Sequence, residues 1–101
     1  MANYKPSKAT ELDLIRIHQY GVINFGELQA DKYYFAFFEK FEKIAKQPHL
    51  FQTVYDICKG YRRCVLGADS IYYRILNSGI AIIRIIGRQD FELFPDKYKT
   101  Y

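Results

Sequence analysis

Apolar residues recur along this chain with a helical period over residues 11–46 and with strand-like alternation from residue 61 onward. Residues 2–7 read as a short first strand, which Pro6 confines to a sheet edge or a strand end. Ser7 or Thr10 is placed to cap the helix that follows. In that helix Leu12, Ile15, Gln19, Val22 and Ile23 share one face, and Leu14, Ile17, His18, Gly21 and Phe25 share roughly the opposite one. A helix apolar on two sides is either sandwiched within its own protein or covered by a partner.

Gly26 suits the residue that ends this helix. A second helix is predicted from about residue 27 to 46, with Ala30, Tyr33, Tyr34, Phe37, Phe41, Ile44 and Ala45 as its core stripe. Phe35 projects away from that stripe, among Asp31, Lys32, Glu39 and Glu42, with Leu28 seven residues earlier on the same line. Such an i, i+7 pair can anchor a partner. Pro48 marks the helix end, and residues 49–60 form a connector. Three strands are predicted at about 61–66, 70–76 and 80–87, separated by Gly67-Ala68-Asp69 and Asn77-Ser78-Gly79.

Connections this short make the three strands antiparallel neighbours. The order β-α-α-β-β-β is α+β: an N-terminal edge strand and a helical hairpin packed on one face of a small antiparallel sheet. A length of 101 residues, half of them hydrophobic, gives one domain over 1–101, with residues 91–101 as a C-terminal tail. Alternation leaves Arg74 and Arg84 on the face away from the helices, beside Tyr72, Leu76, Ile82 and Ile86.

Net charge is +4 and the pI near 9.1, mildly basic for the whole chain. The charge is unevenly placed. Every arginine except Arg16 falls between residues 59 and 88: Arg62, Arg63, Arg74, Arg84 and Arg88, with Asp69 the acid among them. Arginines concentrated on a small sheet imply something anionic or hydrogen-bonding to meet them. Cys58 and Cys64, with His18 and His49, have no zinc-like spacing, so no metal site or cofactor is expected. No signal-peptide pattern precedes the cysteines, and a reducing, cytoplasmic setting with free thiols is expected. The longest apolar run is too short to cross a membrane.

These residues, in this order, resemble the toxins of the RelE/ParE superfamily of type II toxin–antitoxin systems, and the ParE branch above all. Ala9, Asp13, Leu14, Ile17 and Tyr20 come close to the branch's first-helix motif. Phe25-Gly26-Glu27-Leu28-Gln29-Ala30 stands where the family has W-G-x-x-Q-A, with Phe for Trp. Phe41, Ile44, Ala45 and Pro48 match the closing residues of the hairpin, and Gly60-Tyr61-Arg62-Arg63 the next strand. Asp69-Ser70-Ile71-Tyr72-Tyr73-Arg74 follows, with Asp where His is usual. The last strand supplies Ile80, Ile82, Arg84, Ile85, Ile86, Gly87, Arg88 and Asp90, with Gly87 at a position that often holds His.

The resemblance implies two functions, distinguished by chemistry. RelE-like members cleave mRNA in the ribosome and need a proton acceptor, a proton donor and a cation. This chain has the cations; Asp69, Gly87 and Phe91 replace the groups that such a nuclease would carry, so no catalytic residue is assigned. ParE-like members poison DNA gyrase without chemistry of their own, and that is the expected function. Arg62, Arg63, Arg74, Arg84 and Arg88 are the expected target-binding residues. A cognate antitoxin is the expected partner, with Leu14, Ile17, Phe35, Arg74 and Arg84 as its docking residues. Tyr61, Tyr72 and Tyr73 read as packing rather than base-stacking residues, and no sequence-specific DNA binding by this chain alone is expected.

Overall fold

A computed structural model describes residues 3–54 and 60–87. Strand β1 (Tyr4–Pro6) leads into α1 (Lys8–Phe25) and α2 (Glu27–Lys46), followed by β2 (Gln52–Thr53), β3 (Tyr61–Leu66), β4 (Asp69–Leu76) and β5 (Gly79–Gly87). Ser7 caps α1, its hydroxyl accepting from the Thr10 amide at 3.0 Å. Gly26, at φ 88°, turns the chain directly from α1 into α2, a conformation that side chains disfavour. The two helices then approach closely: a Cβ on Gly21 would lie 3.1 Å from the Cβ of Ala30.

The strands form one sheet in the order β1-β5-β4-β3-β2. The β-α-α-β-β-β sequence order is as expected, with two additions. β1 runs parallel to β5, because the whole helical hairpin separates them, so the sheet is mixed. The connector holds β2, whose two residues pair with Arg62 and Arg63 and are too few to leave a periodic signal in the sequence.

The core lies between the hairpin and one face of the sheet. Leu14, Ile17, Phe37, Phe41 and Ile44 from the helices pack on Cys64, Ile71, Tyr73, Ile80, Ile82 and Ile85. Each such side chain contributes about 1.5–3 kcal/mol through removal from water. The Tyr73 hydroxyl remains satisfied by donating to the Pro48 carbonyl at 2.6 Å, which ties the end of the hairpin to the middle of the sheet. A smaller cluster of Val54, Tyr61, Tyr72 and Ile86, with Ile83 against it, occupies the other face.

One irregularity decides where the arginines go. Tyr72 opposes Arg84 but Tyr73 opposes Ile82, so Ile83 is an extra residue in β5, a β-bulge. The bulge breaks the strict alternation expected along this strand. Ile82 and Ile85, three residues apart, both reach the helix-side core, and Ile82 does not lie on the outer face beside Arg84 as alternation implied.

Candidate interaction surfaces

β1 covers β5 only at residues Ile80, Ala81 and Ile82. From the Ile82 carbonyl onward the edge of β5 runs past β1, and Ser7 with the first turns of α1 supplies side-chain partners spaced one turn apart. The Ser7 hydroxyl donates to the Ile83 carbonyl at 2.7 Å, and the Thr10 hydroxyl to the Ile82 carbonyl at 3.0 Å. Asp13 accepts from the Ile85 amide at 3.0 Å, and Arg16 donates to the Ile85 carbonyl at 3.4 Å. Thr10 and Asp13 are buried, as this edge-sealing role requires.

Asp13 also receives Arg84. The guanidinium donates from Nε to Oδ2 at 2.9 Å and from Nη2 to Oδ1 at 2.8 Å, a two-pronged pair. The hydrogen bond to Asp13 raises the Arg84 pKa further, against the opposing effect of burial. Arg84 was expected on the anion-binding face; it is bound instead to a carboxylate 71 residues earlier in the chain. The sequence signal for this was slight: Asp13 stands among Leu12, Leu14 and Ile15, and an acid turned inward there needs a partner.

The other arginines separate. Arg62 opposes Tyr73 on the helix side of the sheet. It donates to the Phe51 carbonyl at 2.7 Å and lies 3.4 Å from His49 Nδ1, fastening the connector. Arg63 opposes Tyr72, and Arg74 opposes Tyr61, so these two are diagonal neighbours on the outer face. The exposed Arg74 guanidinium stacks on the Tyr61 ring, 5.5 Å from its centroid. The Arg63 Nε is buried and makes no hydrogen bond among the described residues. No carboxylate among the described residues pairs with Arg63 or Arg74. Arg88 and Asp90 lie outside the described residues, as do Cys58 and the tail from Phe91.

Neither histidine joins Arg63 and Arg74. His18 lies in the hairpin, its Nε2 2.7 Å from Asp31 Oδ1, and His49 lies with Arg62 on the other side of the sheet. Asp69 is held by the Tyr33 hydroxyl, which donates to its Oδ2 at 2.8 Å. Burial first, and then that bond, push the Tyr33 pKa far up, so the phenol stays protonated. An open groove of about 870 Å³ lies beside this contact, between the hairpin and the β3–β4 turn, with Tyr20, Phe25, Arg16 and Gly87 on its walls. Cys64 is a buried free thiol whose pKa burial raises, the reverse of an activated nucleophile. Among the described residues no cluster of His, Cys, Asp or Glu is placed to hold a metal, and no helix is long and apolar enough to cross a membrane.

The hairpin's solvent side is apolar. Leu14 and Ile17, expected as antitoxin contacts, are 5% and 8% exposed and belong to the core. That expectation had the two faces of α1 reversed: the sheet takes the Leu14–Ile17 face, because it carries Thr10 and Asp13 to the edge of β5. Leu12, Ile15, Val22 and Ile23 are left in water. On α2 the expected projection of Phe35 and Leu28 is observed, at 62% and 72% exposure.

A two-helix hairpin on a five-stranded mixed sheet is the architecture of a known toxin class. The structure titled as the chromosomal ParDE TA system from P. aeruginosa superposes with a TM-score of 0.76, over 86% of this chain and 96% of that one, at 21% identity. Residues 4–90 match the family described as the ParE toxin of the type II toxin–antitoxin system, parDE. Toxin ParE1 of Caulobacter vibrioides is 31% identical over 86 residues, which span 85% of this chain and 88% of that protein. The chain belongs to the ParE toxin family of type II toxin–antitoxin systems.

Proposed function

We propose that this toxin stops growth by binding and poisoning DNA gyrase, acting by contact rather than by chemistry of its own, and that a cognate antitoxin neutralises it. The observation that carries the reading is the outer sheet face. Arg63 and Arg74 stand there without a carboxylate among the described residues, and neither histidine stands with them. Cations with neither a carboxylate nor an imidazole beside them among the described residues suit recognition of an anionic surface better than hydrolysis of RNA. Arg74 is the central contact. Arg62 and Arg84 have structural partners and serve the face by holding it in shape.

The antitoxin docks on the solvent side of the hairpin, through Phe35, Leu28, Ile15 and Val22, and a second segment of it reaches Arg74 on the opposite, outer face of the sheet. Induced expression tests the whole reading. Chromosome breakage with a DNA-damage response, while translation continues, supports it. Immediate translation arrest with cleaved mRNA contradicts it and points to a RelE-type nuclease.

A further inference from the structure

His18 and Asp31 form the cross-helix polar pair of the hairpin's solvent side, at 32% and 44% side-chain exposure. Each is framed by exposed apolar residues one turn away in both directions. Ile15 and Val22 flank His18 at i−3 and i+4, and Leu28 and Phe35 flank Asp31 at the same offsets. The His18 ring is further fixed by an edge-on contact with Tyr34, 5.5 Å between centroids. Asp31 uses Oδ1 for His18, and Oδ2 makes no hydrogen bond among the described residues. Exposed Glu27 lies one turn before Asp31, so the frame carries two carboxylates beside one imidazole.

We infer that this framed pair selects the antitoxin: the docking segment is an amphipathic helix whose apolar ridge is interrupted by one Lys or Arg that meets Asp31. The inference rests on the reading that an antitoxin covers the hairpin. A partner ridge that buried Ile15, Val22, Leu28 and Phe35 would also remove water from Asp31. Burying Oδ2 without a new partner opposes binding, and a cation placed against it removes the penalty. Apolar contacts alone fix neither register nor direction of a docked helix; one polar pair inside an apolar frame fixes both.

The test uses the full-length toxin and its cognate antitoxin, with affinity measured by titration calorimetry. Asp31→Asn is expected to weaken binding by about tenfold or more while leaving the melting temperature unchanged, and Glu39→Gln to change little. An antitoxin lacking the opposing cation should bind wild type and Asp31→Asn equally, and a charge swap of the two positions should restore affinity. Equal binding of wild-type antitoxin to toxin and Asp31→Asn overturns the inference and leaves the antitoxin reading intact. No binding to the wild-type toxin overturns that reading as well. A toxin that dimerises through this face, and loses the dimer on Leu28→Ala, assigns the frame to a second copy and also overturns the inference.

Discussion

The two sides of α1 invert the usual rule. Its inward side carries Thr10 and Asp13 into the protein, and its outward side leaves Leu12, Ile15 and Ile23 in water. The inward polar groups are explained by the edge of β5, whose amides and carbonyls need partners beyond the reach of β1. The outward apolar groups have no such explanation among the described residues. Polarity that is satisfied inside and hydrophobicity that is unsatisfied outside separate what holds this fold from what the fold presents.

Breaking the inward side should have the largest effect. Asp13→Ala removes the acceptor of the Ile85 amide and the two-pronged partner of Arg84, a loss of roughly 3–5 kcal/mol in urea unfolding. Ile15→Ala, two residues away, should stay within about 0.5 kcal/mol of wild type. Arg84→Glu sets a carboxylate against Asp13 and should fail by instability. Arg74→Glu should melt as wild type and still lose toxicity, and full toxicity in that variant would remove Arg74 from the target surface.

The outward side should show the converse. Phe35→Ala is expected to leave stability unchanged and to cost about 2 kcal/mol of antitoxin affinity, as a central aromatic contact does. Unchanged affinity would move the docking strip elsewhere. A smaller effect sharpens the comparison from the sheet side: Tyr33→Phe loses the hydroxyl shared by Leu66 and Asp69 and should cost about 1 kcal/mol.

A separate effect appears only at alkaline pH. Burial pushes the Tyr73 pKa from 10.0 up to about 12, against a lowering influence of Arg62. The unfolded chain therefore gives up this phenolic proton first. Its contribution to stability is whole below pH 10 and is lost as the pH rises toward 12. Tyr73→Phe should flatten that part of the pH–stability curve.

Element order and the helix and strand positions were legible because long periodic segments and glycine turns fix them locally. Ser7, Gly26 and the two hairpin turns fall where their chemistry demands. The orientation of α1 was not legible, since both of its faces are apolar in sequence. What decides between them is hydrogen bonding to a strand about 70 residues later. The bulge at Ile83 was equally hidden: Ala81 to Ile86 is apolar at every position but Arg84, and only the pairing with Tyr72 and Tyr73 shows the extra residue. The basic face was half legible. Arg63 and Arg74 are there, Arg62 faces the helices, and Arg84 answers an acid that charge counting within the sheet could not reveal.

The most direct measurement of the central claim is a plasmid supercoiling and cleavage assay with purified toxin, DNA gyrase and ATP. Cleaved plasmid should accumulate with the wild-type protein, disappear on adding the antitoxin, and fail to form with Arg74→Glu. Intact, normally supercoiled plasmid at toxin levels that arrest growth would contradict that claim.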